Sequence, residues 1–279
     1  MDYTEFAVPM SLQRYVQCVW RLRDYAASAP AQTIYPDGRC ELIVHLGAPM
    51  RRYTLGDGWQ TQAPCLFAAQ IRSAIRLAST GPVDCIGVRL QPAVSHAIAA
   101  RRLAALIDQI VDLHTLDRGF APGLYAACRA YAQACELAPL WQLLEVRLSS
   151  VVVDAGIEAA VAALDRAGGD IAIIELARRQ HMSLRSLQTR FVDSVGLTAK
   201  EYARVRRLAA TIRALDRDAE PLSALAINIG FADQAHATRE LQHLIGLTPA
   251  RLRQALQAER EGDATLRMAA AFVRGFGRG

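Results

Sequence analysis

The tripeptide Gly196-Leu197-Thr198 returns, fifty residues on, as Gly246-Leu247-Thr248. A repeat of that period constrains the fold more than any bulk property, because each copy has to be one supersecondary unit. The surroundings repeat with it. Fifty residues also separate Ser183 from Asp233, both suited to cap a helix N-terminus, and Leu176-Ala177 from Ala226-Ile227, apolar pairs on the segment before. Phe191 stands opposite Leu241 as the apolar anchor of the segment after.

Each unit therefore reads as a helix, a tight turn, a capped second helix and a glycine stop, a helix-turn-helix written twice. The first occupies about residues 171–196: a helix Ile171 to Arg179, a turn through His181-Met182 and a helix Leu184 to Val195. The second occupies about residues 222–246: a helix Leu222 to Ile229, a turn at Gly230-Phe231-Ala232 and a helix Gln234 to Ile245. Leu184, Leu187 and Phe191 are expected to hold the first recognition helix on its core, leaving Arg185, Gln188 and Thr189 outward; Gln234, His236, Thr238 and Arg239 occupy the corresponding end of the second. Arginine pairs bidentately with guanine, glutamine with adenine, and threonine meets a thymine methyl, so this set suits a DNA major groove. Between the units, Glu201 to Leu215 reads as an amphipathic connector carrying Arg204, Arg206, Arg207 and Arg213. Such a rod could hold two recognition helices about 34 Å apart, one DNA turn; any one of its arginines reads equally well as part of a solvated face.

Bulk properties agree. At 279 residues the chain exceeds one usual compact domain. The net charge of +5 suits a nucleic-acid partner without requiring one, and Lys200 is the sole lysine. No apolar run approaches the roughly 20 residues of a membrane span, and the first residues lack a basic start and apolar run, so a cytoplasmic protein with reduced cysteines is expected. Cys18, Cys40, Cys65, Cys85, Cys128 and Cys135 all lie in the N-terminal half, none spaced C-x-x-C, so neither a zinc site nor any other metal or cofactor is expected.

From about Tyr15 to Leu90 short strand-like segments alternate with turns, the pattern of an antiparallel sheet or small barrel. The segments are Val16 to Leu22, Arg39 to Leu46, Arg51 to Leu55 and Cys85 to Leu90, with Pro36-Asp37-Gly38 as a strong turn. Helical periodicity follows through Ala93 to Ile110 and Leu124 to Val153. There Leu137, Leu140, Leu144 and Leu148 form a stripe that reads either as packing on its own domain or as a dimer face. A boundary is expected near Val152 to Gly156, with Asp154 placed to cap the next helix. The organisation is thus α+β: residues 1–153 as a first domain (strands about 1–92, helices about 93–153), 154–260 as an all-α tandem helix-turn-helix domain, and 261–279 as a tail.

No glycine-rich phosphate loop, nucleophile elbow or paired-carboxylate motif appears, so no catalytic residue is expected. Glu41 and His45 would share one face of a strand, but no third metal ligand stands near them. With Arg89 they are the polar groups chosen as candidates for lining a small-molecule pocket.

At the repeat the sequence resembles the AraC/XylS family of transcription regulators, over about residues 159–253. Ser183-Leu184-Arg185-Ser186-Leu187-Gln188-Thr189-Arg190-Phe191 and Gly196-Leu197-Thr198-Ala199-Lys200-Glu201-Tyr202 look like its first unit and connector, and Ile229-Gly230-Phe231-Ala232-Asp233-Gln234 and Gly246-Leu247-Thr248-Pro249 like its second. The resemblance implies DNA contacts at Arg185, Gln188, Thr189, Gln234, His236, Thr238 and Arg239. Ala237, Leu241 and Gln242 depart from the family's common aromatic, phenylalanine and lysine, which makes the second unit the weaker reader. Tyr35 to Gly47 and Ile86 to Leu90 look like the sensor domain attached to many such regulators, implying a cupin-like barrel that binds an effector and a helical part that dimerises. The expected function is a sequence-specific, effector-controlled transcription regulator and not an enzyme. Its expected partners are double-stranded promoter DNA, a small molecule and a second copy of the chain; RNA polymerase is admitted as a further one, and no membrane. The alternative is a DNA repair or modification protein using the same reader, which would need a reactive cysteine in a recognisable motif; Cys18, Cys40 and Cys85 sit in apolar strands without one.

Overall fold

The computed structural model describes residues 2–25, 31–99, 103–217 and 220–260, so the expected tail at 261–279 lies outside the described residues. Ten strands come first: β1 (Asp2–Phe6), β2 (Val16–Asp24), β3 (Gln32–Ile34), β4 (Glu41–His45), β5 (Arg51–Thr54), β6 (Gly58–Thr61), β7 (Cys65–Ala68), β8 (Ile75–Ala78), β9 (Val83–Leu90) and β10 (Ile110–Asp112). They form two antiparallel sheets, a larger one in the order β1-β2-β9-β4-β7-β10 and a smaller one in the order β3-β8-β5-β6. β1 and β10 are the two edges of the larger sheet, so the closed, cupin-like barrel expected from the sequence is corrected to a pair of open sheets.

Alternation along the strands divides the larger sheet into two faces. Leu42, Val44, Ile86, Val88 and Leu90 point into the main core. Trp20, Leu22, Glu41, Ile43, His45 and Cys85 face the other way, toward Ile34, Ile75 and Leu77 of the smaller sheet. Gly87 stands opposite Trp20 in the β2–β9 register. A Cβ there would fall 2.1 Å from indole atoms, so only glycine lets Trp20 lie across β9.

The helix expected from Ala93 to Ile110 is instead two 3₁₀ turns, Pro92–Ala97 and Leu103–Leu106, followed by β10. Asp108, in the left-handed region at φ 63°, breaks the run, and apolar residues in short clusters satisfy either period. Then come α1 (Leu113–Leu116), α2 (Phe120–Ala134) and α3 (Ala138–Leu148). Leu140, Leu144 and Leu148 are wholly buried and Leu137 packs against the same core. The stripe proposed as a dimer face is therefore spent inside this chain, because α3 lies on α2 and on the 3₁₀ turn Met10–Leu12.

α4 (Ala155–Arg166) starts where expected, with the Asp154 carboxylate accepting from the amides of Gly156 and Ile157 at 3.0 and 3.2 Å. α5 (Ile173–Arg179), α6 (Leu184–Val195), α7 (Ala199–Arg217), α8 (Leu222–Asn228), α9 (Gln234–Ile245) and α10 (Pro249–Arg260) complete the chain. Packing does not part at the 153 boundary: one core runs from Leu12 in the first domain to Val205 on α7. α6 rests on the two 3₁₀ turns, and a Cβ on Gly196 would come within 2.9 Å of Leu103 and 3.0 Å of Ile107. A second core gathers Leu208, Ile212, Leu225, Phe231, Leu241 and Leu252, and takes in Tyr35 from the first domain.

Candidate DNA interface and cavity

The two helix-turn-helix units are α5–α6 and α8–α9. Both recognition helices begin and end where the sequence places them. Ser183 caps α6 by accepting from the Ser186 amide at 3.1 Å, and Asp233 caps α9 by accepting from the His236 amide at 2.6 Å. The first helices obey a different spacing. α5 and α8 are forty-nine residues apart, and the buried pairs are Leu176-Ala177 and Leu225-Ala226, while Ile227 is 56% exposed. The pairing of Leu176-Ala177 with Ala226-Ile227 is thus corrected by one residue, which the longer second turn takes up. Each turn passes through the left-handed region, at His181 (φ 52°) in the first unit and Gly230 (φ 88°) in the second.

Leu187 and Phe191 are wholly buried, and the Phe191 ring meets Tyr202 edge-on at 5.6 Å. Leu184, expected to join them, is 41% exposed at the start of α6. Arg185, Gln188 and Thr189 are exposed on α6, as are Gln234 and Arg239 on α9. His236 and Thr238 are half-buried and already engaged. The His236 Nδ1 accepts from the Ala232 amide at 3.3 Å and its ring packs on Phe231, while the Thr238 hydroxyl donates to the Gln234 carbonyl at 2.9 Å. The first helix therefore offers three open readers, the second two open and two restrained.

The connector arginines are largely turned inward. Arg204 pairs with Glu240 on α9, and Arg207 donates to the Gly169 carbonyl at 3.1 Å beneath the Phe231 ring. Arg206 is buried and pairs with Asp165 at 2.8 Å. The stripe that sequence offered as a DNA-facing group is in large part spent on the protein itself, tying α7 to α4, to the turn at Gly169 and to the second unit. Arg190 on α6 is also occupied, in a bidentate pair with Asp154 at 2.7 and 2.6 Å.

A cavity of about 90 Å³ lies between the two sheets, lined by Trp20, Leu22, Ile43, Met50, Cys85 and Leu77 among others. Glu41 and His45, two of the three residues chosen from sequence, line it; Arg89 does not, and stands behind Glu41, donating to its carboxylate at 2.7 Å. His45 is 3% exposed; its Nε2 meets Gln62 at 3.2 Å and its Nδ1 has no hydrogen-bond partner among the described residues. Burial holds its pKa below the ordinary value, so the ring is neutral.

Sequence reading missed the cluster at the polar end of this cavity. Asp37, read only as part of a turn, and Arg39, read only as the start of a strand, line it together with Glu41. Arg39 donates to Tyr202 and, at 2.7 Å, to Asp165, and the Tyr202 hydroxyl donates to Asp165 at 2.8 Å. Arg206 donates to the Asp37 carbonyl at 3.1 Å, and Arg89 stands 3.4 Å from the Asp37 carboxylate. Burial alone would raise the Asp165 pKa, but Arg39 and Arg206 hold it below the usual carboxylate range. Burial alone would lower Arg89, yet Glu41 and Asp37 keep it above its ordinary value. No local motif marks this cluster, because its members come from positions far apart in the chain.

These features define a class: a tandem helix-turn-helix DNA-binding protein behind a two-sheet domain. Residues 176–255 match the model of a helix-turn-helix domain family, and residues 4–112 match a domain of unknown function (DUF6597). The C-terminal part of the chain carries a helix-turn-helix domain, and the chain is a DNA-binding transcription regulator. No curated protein matches it. Similar solved structures include ToxT from Vibrio cholerae, 7% identical with a TM-score of 0.46 over 91% of this chain and 98% of that one. ToxT bound to an unsaturated fatty acid is 9% identical with a TM-score of 0.41 over 84% and 93%. The AraC-like transcriptional activator CuxR is 13% identical with a TM-score of 0.35 over 74% and 78%. No helix among the described residues is long and apolar enough to cross a membrane.

Proposed function

We propose that α6 and α9 read two segments of a promoter in the DNA major groove, that a small molecule in the cavity between the sheets controls this reading, and that two copies of the chain act together. The observation that carries the first part is the pair of capped recognition helices with Arg185, Gln188, Thr189, Gln234 and Arg239 exposed on them. His236 and Thr238 belong to the same reading surface, in a supporting place. The effector part is supported by a mostly apolar cavity with Glu41 and His45 among its few polar groups, the arrangement expected of a ligand site. RNA polymerase is a further partner in this reading, and the protein works in the cytoplasm with no catalytic step of its own.

Protection of the promoter region around the protein's own gene tests it. The expected result is a discrete footprint whose stronger part Arg185→Ala with Gln188→Ala abolishes, with no covalent change to the DNA; protection without sequence preference overturns it. A repair or modification reading finds no support in the cysteines, since burial pushes the thiols of Cys18, Cys40 and Cys85 up to about 12, away from the reactive thiolate.

A further inference from the structure

In formal charge the polar end of the cavity is balanced, with burial raising the Glu41 pKa and the Arg89 guanidinium drawing it back down. Three guanidinium groups (Arg39, Arg89 and Arg206) face three carboxylates (Asp37, Glu41 and Asp165), and hydrogen bonds or ion pairs join every one of them to the cluster. Arg39 and Arg89 are buried at 7% and 1% exposure. A charged occupant would therefore have to be desolvated without a spare counter-charge, or break an existing pair, and both are costly. Among the described residues that line the cavity, the side-chain atom left without a hydrogen-bond partner is the His45 Nδ1, a neutral group. With the Nε2 hydrogen directed at the Gln62 carbonyl oxygen, Nδ1 is an acceptor waiting for a donor. The cavity volume is about 90 Å³. At about 10–15 Å³ per water, each with a liquid share of about 30 Å³, it takes a molecule of roughly ten non-hydrogen atoms.

The cavity also shares its walls with the DNA-binding unit. Tyr35, Asp37 and Arg39 line it, and on their far side Tyr35 joins the core of the second helix-turn-helix while Arg39 grips Tyr202 on α7. Gly38 between them has φ 78°, and a Cβ there would fall 2.8 Å from the Tyr202 ring, so turn and helix touch backbone to side chain. A second wall repeats the arrangement. Ile71 and Ile75 line the cavity, and the Ala74 amide between them donates to the Leu244 carbonyl near the end of α9 at 2.9 Å.

We propose that the cavity takes an uncharged, largely apolar molecule with one hydrogen-bond donor for His45, and that its occupancy reaches α7 and α9 through the Tyr35–Arg39 turn and the loop at 71–75. This rests on the effector reading above and specifies its ligand class and its route. Three compounds of matched size and different charge test it on the full chain by titration calorimetry: benzyl alcohol, benzoate and benzylammonium. Benzyl alcohol is expected to bind at least about tenfold more tightly than either ion, and Ala68→Leu, which fills the cavity from β7, to abolish binding. Hydrogen exchange over residues 199–217 and 241–246 is then expected to change on adding benzyl alcohol. In Tyr202→Phe, which leaves the cavity lining intact and removes the hydroxyl between Arg39 and Asp165, binding is expected to persist while the exchange response at 199–217 is lost. Equal or tighter binding of an ion overturns the ligand class and leaves the effector site standing. Binding with no exchange change in the unmodified chain overturns the route, as does an undiminished response in Tyr202→Phe. Binding by none of the three overturns the cavity as the effector site and leaves the DNA reading to the footprint.

Discussion

Asp165 shows how much one residue holds here. Its carboxylate takes Arg39, Arg206 and the Tyr202 hydroxyl at once, tying the 35–39 turn to α4 and α7. Removing one partner from a buried ion cluster leaves uncompensated charge and costs about 3–5 kcal/mol. Asp165→Ala is accordingly expected to lower the unfolding free energy by about that amount in denaturant titration. Since the folded-state pKa of Asp165 lies below its unfolded value, its contribution is fully present above about pH 4 and is lost as pH falls through the folded value. The same titration between pH 5 and pH 2 should show the gap between variant and parent closing. His45 acts higher on the scale and with the same sign. Its pKa is depressed by burial, so the unfolded chain binds the proton first, and stability drops as pH falls below about 6.5. His45→Gln should flatten that part of the stability profile, and an unchanged slope would show that His45 is not the group responsible.

At the scale of elements, the two recognition helices have the same length and differ in what they present. Ser183→Ala and Asp233→Ala each remove a cap and should cost about 1 kcal/mol, measurable as similar losses of thermal stability. On DNA the two helices should part. Arg185→Ala with Gln188→Ala removes two open readers, each worth about 1–3 kcal/mol of base discrimination. Thr238→Ala removes a hydroxyl already bonded to its own helix and should change affinity little in a competition assay. What was legible in sequence follows from how local each signal is. α6 and α9 could be bounded to the residue because cap, anchor and glycine stop fall within one segment. β2, β4, β5 and β9 were legible from alternation, whereas β1, β3, β6, β7, β8 and β10 are short or weakly patterned, and β10 begins at the last residue of an apparently helical run. The turn offset between the units escaped because Ala226 is apolar in either alignment, and only burial distinguishes Leu225 from Ile227.

Over the whole molecule, the informative surprise is continuity. Sequence suggested a sensor and a reader joined by a connection, but the first helix-turn-helix shares its core with the sheets and the second holds Tyr35 in its own. The leucine stripe of α3 reads as an interface in one dimension and is a core in three, because neighbours far away in sequence cover it. The connector arginines follow the same logic, and this bears on binding. With Arg204, Arg206 and Arg207 spent on protein partners, fewer cations reach phosphate than the sequence offers. The salt dependence of DNA affinity, with a slope of about 0.9 per phosphate neutralised, should therefore change little in Arg207→Gln.

The central claim is that two unequal helices read two segments of one duplex. Selection of bound sequences from a random duplex library tests it most directly, run on the parent chain and on Arg185→Ala with Gln188→Ala. Two enriched blocks are predicted, about 10 base pairs apart from centre to centre, the stronger of which disappears in the variant while the weaker persists. Enrichment of a single block, or none in the parent chain, would contradict it.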